Sequence, residues 1–109
     1  MFGNMGKMLK LAGEMKTKLP AIKEELAATE HRAEAGDGRV AAVVNGKMRL
    51  VKVEFADDLL ADPALTAETL GDLVTTAVRD AQIRAADAAA EKMRELTGGV
   101  DIPGFSDML

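Results

Sequence analysis

The stretch from Gly36-Asp37-Gly38-Arg39 to Leu60, GDGRVAAVVNGKMRLVKVEFADDLL, constrains this chain more than any other. It reads as two β-strands joined by a two-residue Asn45-Gly46 turn and preceded by a Gly-Asp-Gly corner. Asn-Gly between apolar runs is a strong hairpin signal, because a type I′ turn needs positive φ at both central residues. Upstream, Glu30, Arg32 and Glu34 alternate with His31, Ala33 and Ala35, which adds a strand that turns into the next at Gly36-Asp37-Gly38. The second strand is apolar on both faces, Val40, Ala42 and Val44 against Ala41 and Val43, so it needs cover on both sides. The chain has helix enough for one face, and the other is expected to meet a second copy. The third strand, about Lys47–Phe55, points Val51, Val53 and Phe55 one way and Met48, Leu50 and Lys52 the other.

A long helix is expected on each side of this sheet. Before it, Met8, Ala12, Met15, Leu19, Ile22 and Leu26 follow a heptad-like stripe within a helix running from Met1 to about Thr29. Pro20 lies inside that stripe, where the missing N–H and the bulk of the ring predict a kink near Lys16–Leu19 or two shorter helices in line. After the sheet, Asp62-Pro63 breaks the chain and Thr66 is placed to cap a second helix, with Glu68 near its positive end. This helix runs to about Leu96 on a stripe of Leu70, Leu73, Val74, Ala77, Val78, Ala81, Ala85, Ala88 and Met93, and stops at Thr97-Gly98-Gly99. Residues 1–99 make one domain. The remaining tail, VDIPGFSDML, is punctuated by Pro and Gly and expected to be mobile.

Composition narrows the functional classes. With 3 Phe and no Trp or Tyr, burial rests on aliphatic side chains and many alanines. Apolar burial stabilises by roughly 25 cal/mol per Å² and alanine offers little area, so a thick-cored stable monomer is not expected. The absence of Cys excludes disulfides, thiolate metal sites and a cysteine nucleophile. The longest apolar run, Val40–Val44, falls far short of the ~20 residues that span a bilayer. Lys7 and Lys10 interrupt any signal-peptide core, so the protein is expected in the cytoplasm. Net charge is −4, yet residues 1–23 hold Lys7, Lys10, Lys16, Lys18 and Lys23 against Glu14 alone, a local +4. Because salt screens over ~8 Å, a partner at this end feels the lysines more than the distant acids.

No catalytic constellation stands out. Gly36-x-Gly38-x-x-Ala41 matches a dinucleotide fingerprint in letters, but it opens a strand rather than a helix. His31 is the only histidine, and Asp57-Asp58, adjacent at a strand end, reads as a turn rather than an acid/base pair. The lysine-rich first helix reads as a solvated face, as a phosphate-contacting surface, or, with Phe2, Met5, Met8 and Leu9, as an interfacial membrane helix. Without aromatic residues among the lysines, stacking on single-stranded bases is not supported.

The order of parts resembles the YbaB/EbfC family of bacterial nucleoid-associated DNA-binding proteins over essentially the whole length. The matching features are Met1-Phe2-Gly3 with its Met/Lys-rich helix, Gly36-x-Gly38-x-Val40, Val44-Asn45-Gly46, and Val53-Glu54-Phe55-x-Asp57-x-Leu59-Leu60. Leu70-x-Asp72-Leu73-Val74-x-x-Ala77-Val78-x-Asp80-Ala81 and Ile102-Pro103-Gly104-Phe105 complete the set. The resemblance implies a homodimer whose sheets join centrally and whose helices extend as paired arms. It also implies binding of double-stranded DNA with little sequence specificity, in the nucleoid. Pro20 departs from a helix the family keeps continuous, and Asp57-Asp58 stands where the family commonly has Asp-Pro nearby.

The expected fold is therefore α+β, ordered α-β-β-β-α, with a three-stranded antiparallel sheet. Dimerisation is expected through the sheet region at Val40, Ala42, Val44, Leu50, Val51 and Val53. Phosphate contact is expected from Lys7, Lys10, Lys16, Lys18 and Lys23, and from Arg79, Arg84, Lys92 and Arg94 on the second helix. No enzyme activity, cofactor, metal or membrane partner is expected. The alternative, prompted by the acidic second half and the alanine-rich helix face, is a dimeric adaptor for a protein of the recombination or replication machinery.

Overall fold

The structure, a computed structural model, describes residues 2–98. Its elements are α1 (Phe2–Ala28), β1 (Glu30–Ala35), β2 (Val40–Asn45), β3 (Leu50–Phe55) and α2 (Ala67–Thr97). The strands form one antiparallel sheet in the order β1-β2-β3, so the α-β-β-β-α expectation holds. The tail expected to be mobile lies outside the described residues.

Alternation in β1 places Ala33 and Ala35 inward, beside Val40, Ala42 and Val44 of β2. Ala77, Ala81 and Ala85, one helical turn apart on α2, meet them and are at most 1% exposed. With only methyl groups at this seam, the helix backbone packs close to β1 and β2. Leu59, from the turn after β3, fills the remaining space and is fully buried, while Leu70, Leu73, Val74 and Val78 pack around the edge. Thr66 caps α2 as expected, its hydroxyl accepting from the Thr69 N–H at 3.1 Å. Gly98 closes the other end in a left-handed conformation, φ 62°.

β3 lies outside the cover of α2: Leu50, Val51 and Phe55 are 50%, 46% and 45% exposed. The opposite face of β2 behaves differently from expectation. Ala41 and Val43 are buried within the single chain, between the Arg32–Glu34 ion pair on β1 and the Lys52–Glu54 pair, 3.4 Å, on β3. Register places Val43 between Arg32 and Lys52, and Ala41 between Glu34 and Glu54. Long charged side chains thus shelter the small apolar pair with their stems, and this face excludes water without a second copy. The exposed Arg32 guanidinium is held further toward its charged form by its hydrogen bond to Glu34.

The hairpin turn sits one residue later than the Asn-Gly signal predicts. Its central residues are Gly46 and Lys47, closed by the Met48 N–H donating to the Asn45 carbonyl at 3.0 Å. Positive φ falls on Met48, 66°, and not on Asn45 or Gly46. The cause is the Asn45 side chain, whose Oδ1 accepts from the N–H groups of Lys47 at 2.9 Å and Arg49 at 3.2 Å. The longer loop starts β3 at Leu50 rather than near Lys47, and a bulge sets Val44 against Leu50 and Val43 against Lys52. Met48, expected on the far side, instead packs against the α2-side core. Gly46 has another role: a Cβ there would lie 1.9 Å from the carbonyl oxygen of Leu26 in α1.

α1 continues unbroken through Pro20, so the two-helix alternative does not hold. The proline is exposed, and the helix forgoes only the bond its nitrogen would have given the Lys16 carbonyl. Met15, Leu19 and Ile22 are buried with Leu11 and Leu26 against Met93 and Leu96 of α2. Met8 and Ala12, expected on this stripe, are exposed, because α2 ends one residue after Leu96 and the first turns of α1 run on past it. The result is a sheet-and-helix body with a two-helix arm. Its radius of gyration is 19.1 Å, against about 13 Å for a compact domain of this size.

Two glycine substitutions separate close approach from helix propensity. Gly46→Ala is expected to lower the melting temperature, because Leu26 backbone must shift to admit the methyl group. Gly71→Ala, in α2 with open space around it, should raise stability by about 1 kcal/mol. Thermal unfolding followed by circular dichroism measures both.

Candidate nucleic-acid interface

α1 carries its cations on a rod that the body covers along one stripe only. At about 3.6 residues per turn, Lys16 and Lys23 share one flank of the buried Met15–Leu19–Ile22 stripe, and Lys7 and Lys18 share the other. Lys10 points away from the stripe. Lys16 and Lys23 lie about 10 Å apart along the axis, the rise of roughly three base pairs of duplex. All five lysines are exposed, and none has an ion-pair partner among the described residues.

The basic residues of α2 are placed otherwise. Arg79 is exposed. Arg84 donates to the Arg32 carbonyl at 2.7 Å, fastening α2 to β1. Lys92 reaches Glu25 across the arm at 3.6 Å, and Arg94 bonds Glu91 at 2.8 Å. Three of the four expected α2 contacts are therefore engaged within the chain, while the α1 set stands free. Two further cations, Lys47 and Arg49, are exposed in the hairpin loop. The Gly46–Leu26 contact brings that loop to the base of the arm, beside the turn of α1 that carries Lys23. Their sequence signal was a pair of bases straddling a turn, which acquires meaning only when the loop is seen to touch α1.

The residues expected at a dimer interface fall into two groups. Val40, Ala42 and Val44 lie fully buried beneath α2 of the same chain, whereas Leu50 and Val51 are exposed and Val53 is half-buried. His31 is half-buried on β1 opposite Val44. Asp57 and Asp58 sit exposed in the turn after β3, where the Asp58 carbonyl accepts from the Ala61 N–H at 3.2 Å. Among the described residues no group of three His, Cys, Asp or Glu is placed to hold a metal ion, and no helix is long and apolar enough to cross a membrane.

A small sheet backed by one helix, with a lysine-bearing helical arm, describes a binding protein built around a charged surface. The sequence pattern of the YbaB/EbfC DNA-binding family matches residues 1–100, and the chain belongs to that family. It is 39% identical over 102 residues to a nucleoid-associated protein of Thermoanaerobacter pseudethanolicus, covering 94% of this chain and 90% of the relative. A nucleoid-associated protein of Nostoc sp. is 37% identical over 107 residues, covering 93% and 90%. The fold is also that of an uncharacterised Helicobacter pylori protein of known crystal structure. That match has a TM-score of 0.59 at 24% identity, over 76% of this chain and 94% of the other.

The pairing pattern orders the cations by expected effect. In fluorescence anisotropy with a duplex, Lys16→Ala/Lys23→Ala should weaken binding more than Lys92→Ala/Arg94→Ala, since the second pair is already neutralised by acids of its own chain.

Proposed function

We propose that this chain is a non-enzymatic nucleoid-associated protein of the bacterial cytoplasm. It binds double-stranded DNA as a homodimer, through phosphate contacts with little sequence specificity. The observation that carries this reading is the set of exposed α1 lysines without carboxylate partners, set on a rod that projects from the body. Such cations release condensed counterions when they meet phosphates, a source of affinity indifferent to sequence. No element among the described residues presents a row of hydrogen-bonding side chains backed by a packed helix, as base readout in the major groove requires.

The open apolar surface of β3 supports the dimer. Leu50, Val51 and Phe55 stand exposed along a sheet edge, with Leu60 nearby at 71% exposure. An exposed apolar edge strand is a template for pairing with another chain. A second copy placed there would cover it and set two arms on one body, so that a duplex meets lysines from both. Val51→Asp/Phe55→Asp should yield a folded monomer by light scattering, with DNA affinity reduced by loss of the second arm.

The DNA reading is tested by titrating an unrelated ~20 bp duplex across salt concentrations. The slope of log K against log[salt] should be about −0.9 per phosphate engaged, giving several units for the dimer. Replacing Lys7, Lys10, Lys16, Lys18 and Lys23 by Ala should flatten it. A slope unchanged by these substitutions, or no binding at low salt, overturns the reading; a dimer that ignores DNA would favour the adaptor role.

A further inference from the structure

We propose that residues 99–109 dock along the uncovered face of the first turns of α1, against Met5, Met8 and Leu9 and between Lys7 and Lys10. Met5, Met8 and Leu9 are 62%, 41% and 70% exposed. Their spacing places them on one side of the helix, continuing the buried stripe beyond the point where α2 stops. This is therefore an apolar seam whose second half has no partner among the described elements.

The occupant is indicated by where α2 ends and by the composition of the chain beyond it. Met93 and Leu96 pack into the α1 cluster that includes Leu11, so Gly98 lies close to the start of the uncovered face. From Leu11 to Met5 is about 9 Å along the axis, and residues 99–109 reach up to about 35 Å when extended. They include Val100, Ile102, Phe105, Met108 and Leu109, with Asp101 and Asp107 and no Lys or Arg. Segments that stay in water are poor in large apolar residues, and this one is rich in them. Its two carboxylates match the unpaired Lys7 and Lys10 flanking the patch, and Lys16 further along the same side as Leu9. Apolar and charged groups thus agree on the same neighbour. The docking stands apart from the DNA reading, although a segment held there would share Lys7 and Lys10 with any phosphate.

The test uses the full chain without DNA. The protein has no tryptophan, so Phe105→Trp provides a single emitter. Docking predicts blue-shifted emission, and acrylamide quenching several-fold weaker than in the same chain unfolded by guanidinium. Adding Met5→Ser/Leu9→Ser should restore unfolded-like quenching while helical circular dichroism is kept. Quenching in the folded chain equal to that in the unfolded chain overturns the proposal. So does shielding that survives Met5→Ser/Leu9→Ser, which would place Phe105 elsewhere. Shielding lost on dilution also overturns it, since the surface would then belong to a second copy.

Discussion

The molecule depends on how closely one helix approaches a sheet that has almost no large side chains to offer it. Ala33, Ala35 and Ala42 meet Ala77, Ala81 and Ala85, and no aromatic ring intervenes. Dispersion falls off steeply with a gap of even half an ångström, so a core of methyl groups coheres only if the backbones are brought together. Leu59 and the valines of β2 supply the bulk that the seam lacks. The same economy limits what α2 can shelter: laid tightly over β1 and β2, it leaves β3 uncovered. The exposed edge follows from the core's composition rather than from an accident of strand length.

α2 is much longer than the strands it covers, and its two halves do different work. The first half closes the body, while the second leaves the sheet and becomes the partner of α1 through Met93 and Leu96. Cations follow the same division. Those on α2 are used to hold elements together, Arg84 to β1 and Lys92 to α1, and those on α1 are left to solvent. Surface ion pairs such as Lys92–Glu25 contribute at most about 1 kcal/mol, but they remove charge from the potential a polyanion would meet. Pairing, more than the number of bases, therefore distinguishes the two helices.

Much of this was legible in the sequence because periodicity and capping chemistry act locally. The alternation of Glu30–Ala35, the left-handed corner at Gly36–Gly38, the Thr66 cap and the alanine stripe of α2 all stand where their patterns place them. What failed was decided by contacts across the fold. Asn-Gly signals a tight turn only if Asn45 leaves its side chain out of the bonding; here that side chain takes two backbone donors and lengthens the loop. Gly46 looks like a conformational requirement and is a steric one, set by a helix that ends nearly twenty residues earlier. The two-faced apolar character of β2 suggested a missing partner, but Arg32, Glu34, Lys52 and Glu54 cover its second face from neighbouring strands. The heptad of α1 gave no hint that its first third would lack an opposing helix, because that depends on where α2 stops.

Pro20 stands near the root of the arm, and its effect is mechanical. With one rung missing from the hydrogen-bond ladder on the solvent side, α1 is least stiff in bending at that point. A rotation of about 10° there carries the backbone at Met5 through about 4 Å, given 1.5 Å of rise per residue. The lysines beyond the hinge sit on the long side of a lever and Lys23 on the short side. A duplex of variable groove width can then be followed by the tip of the arm while its base stays in register with the sheet.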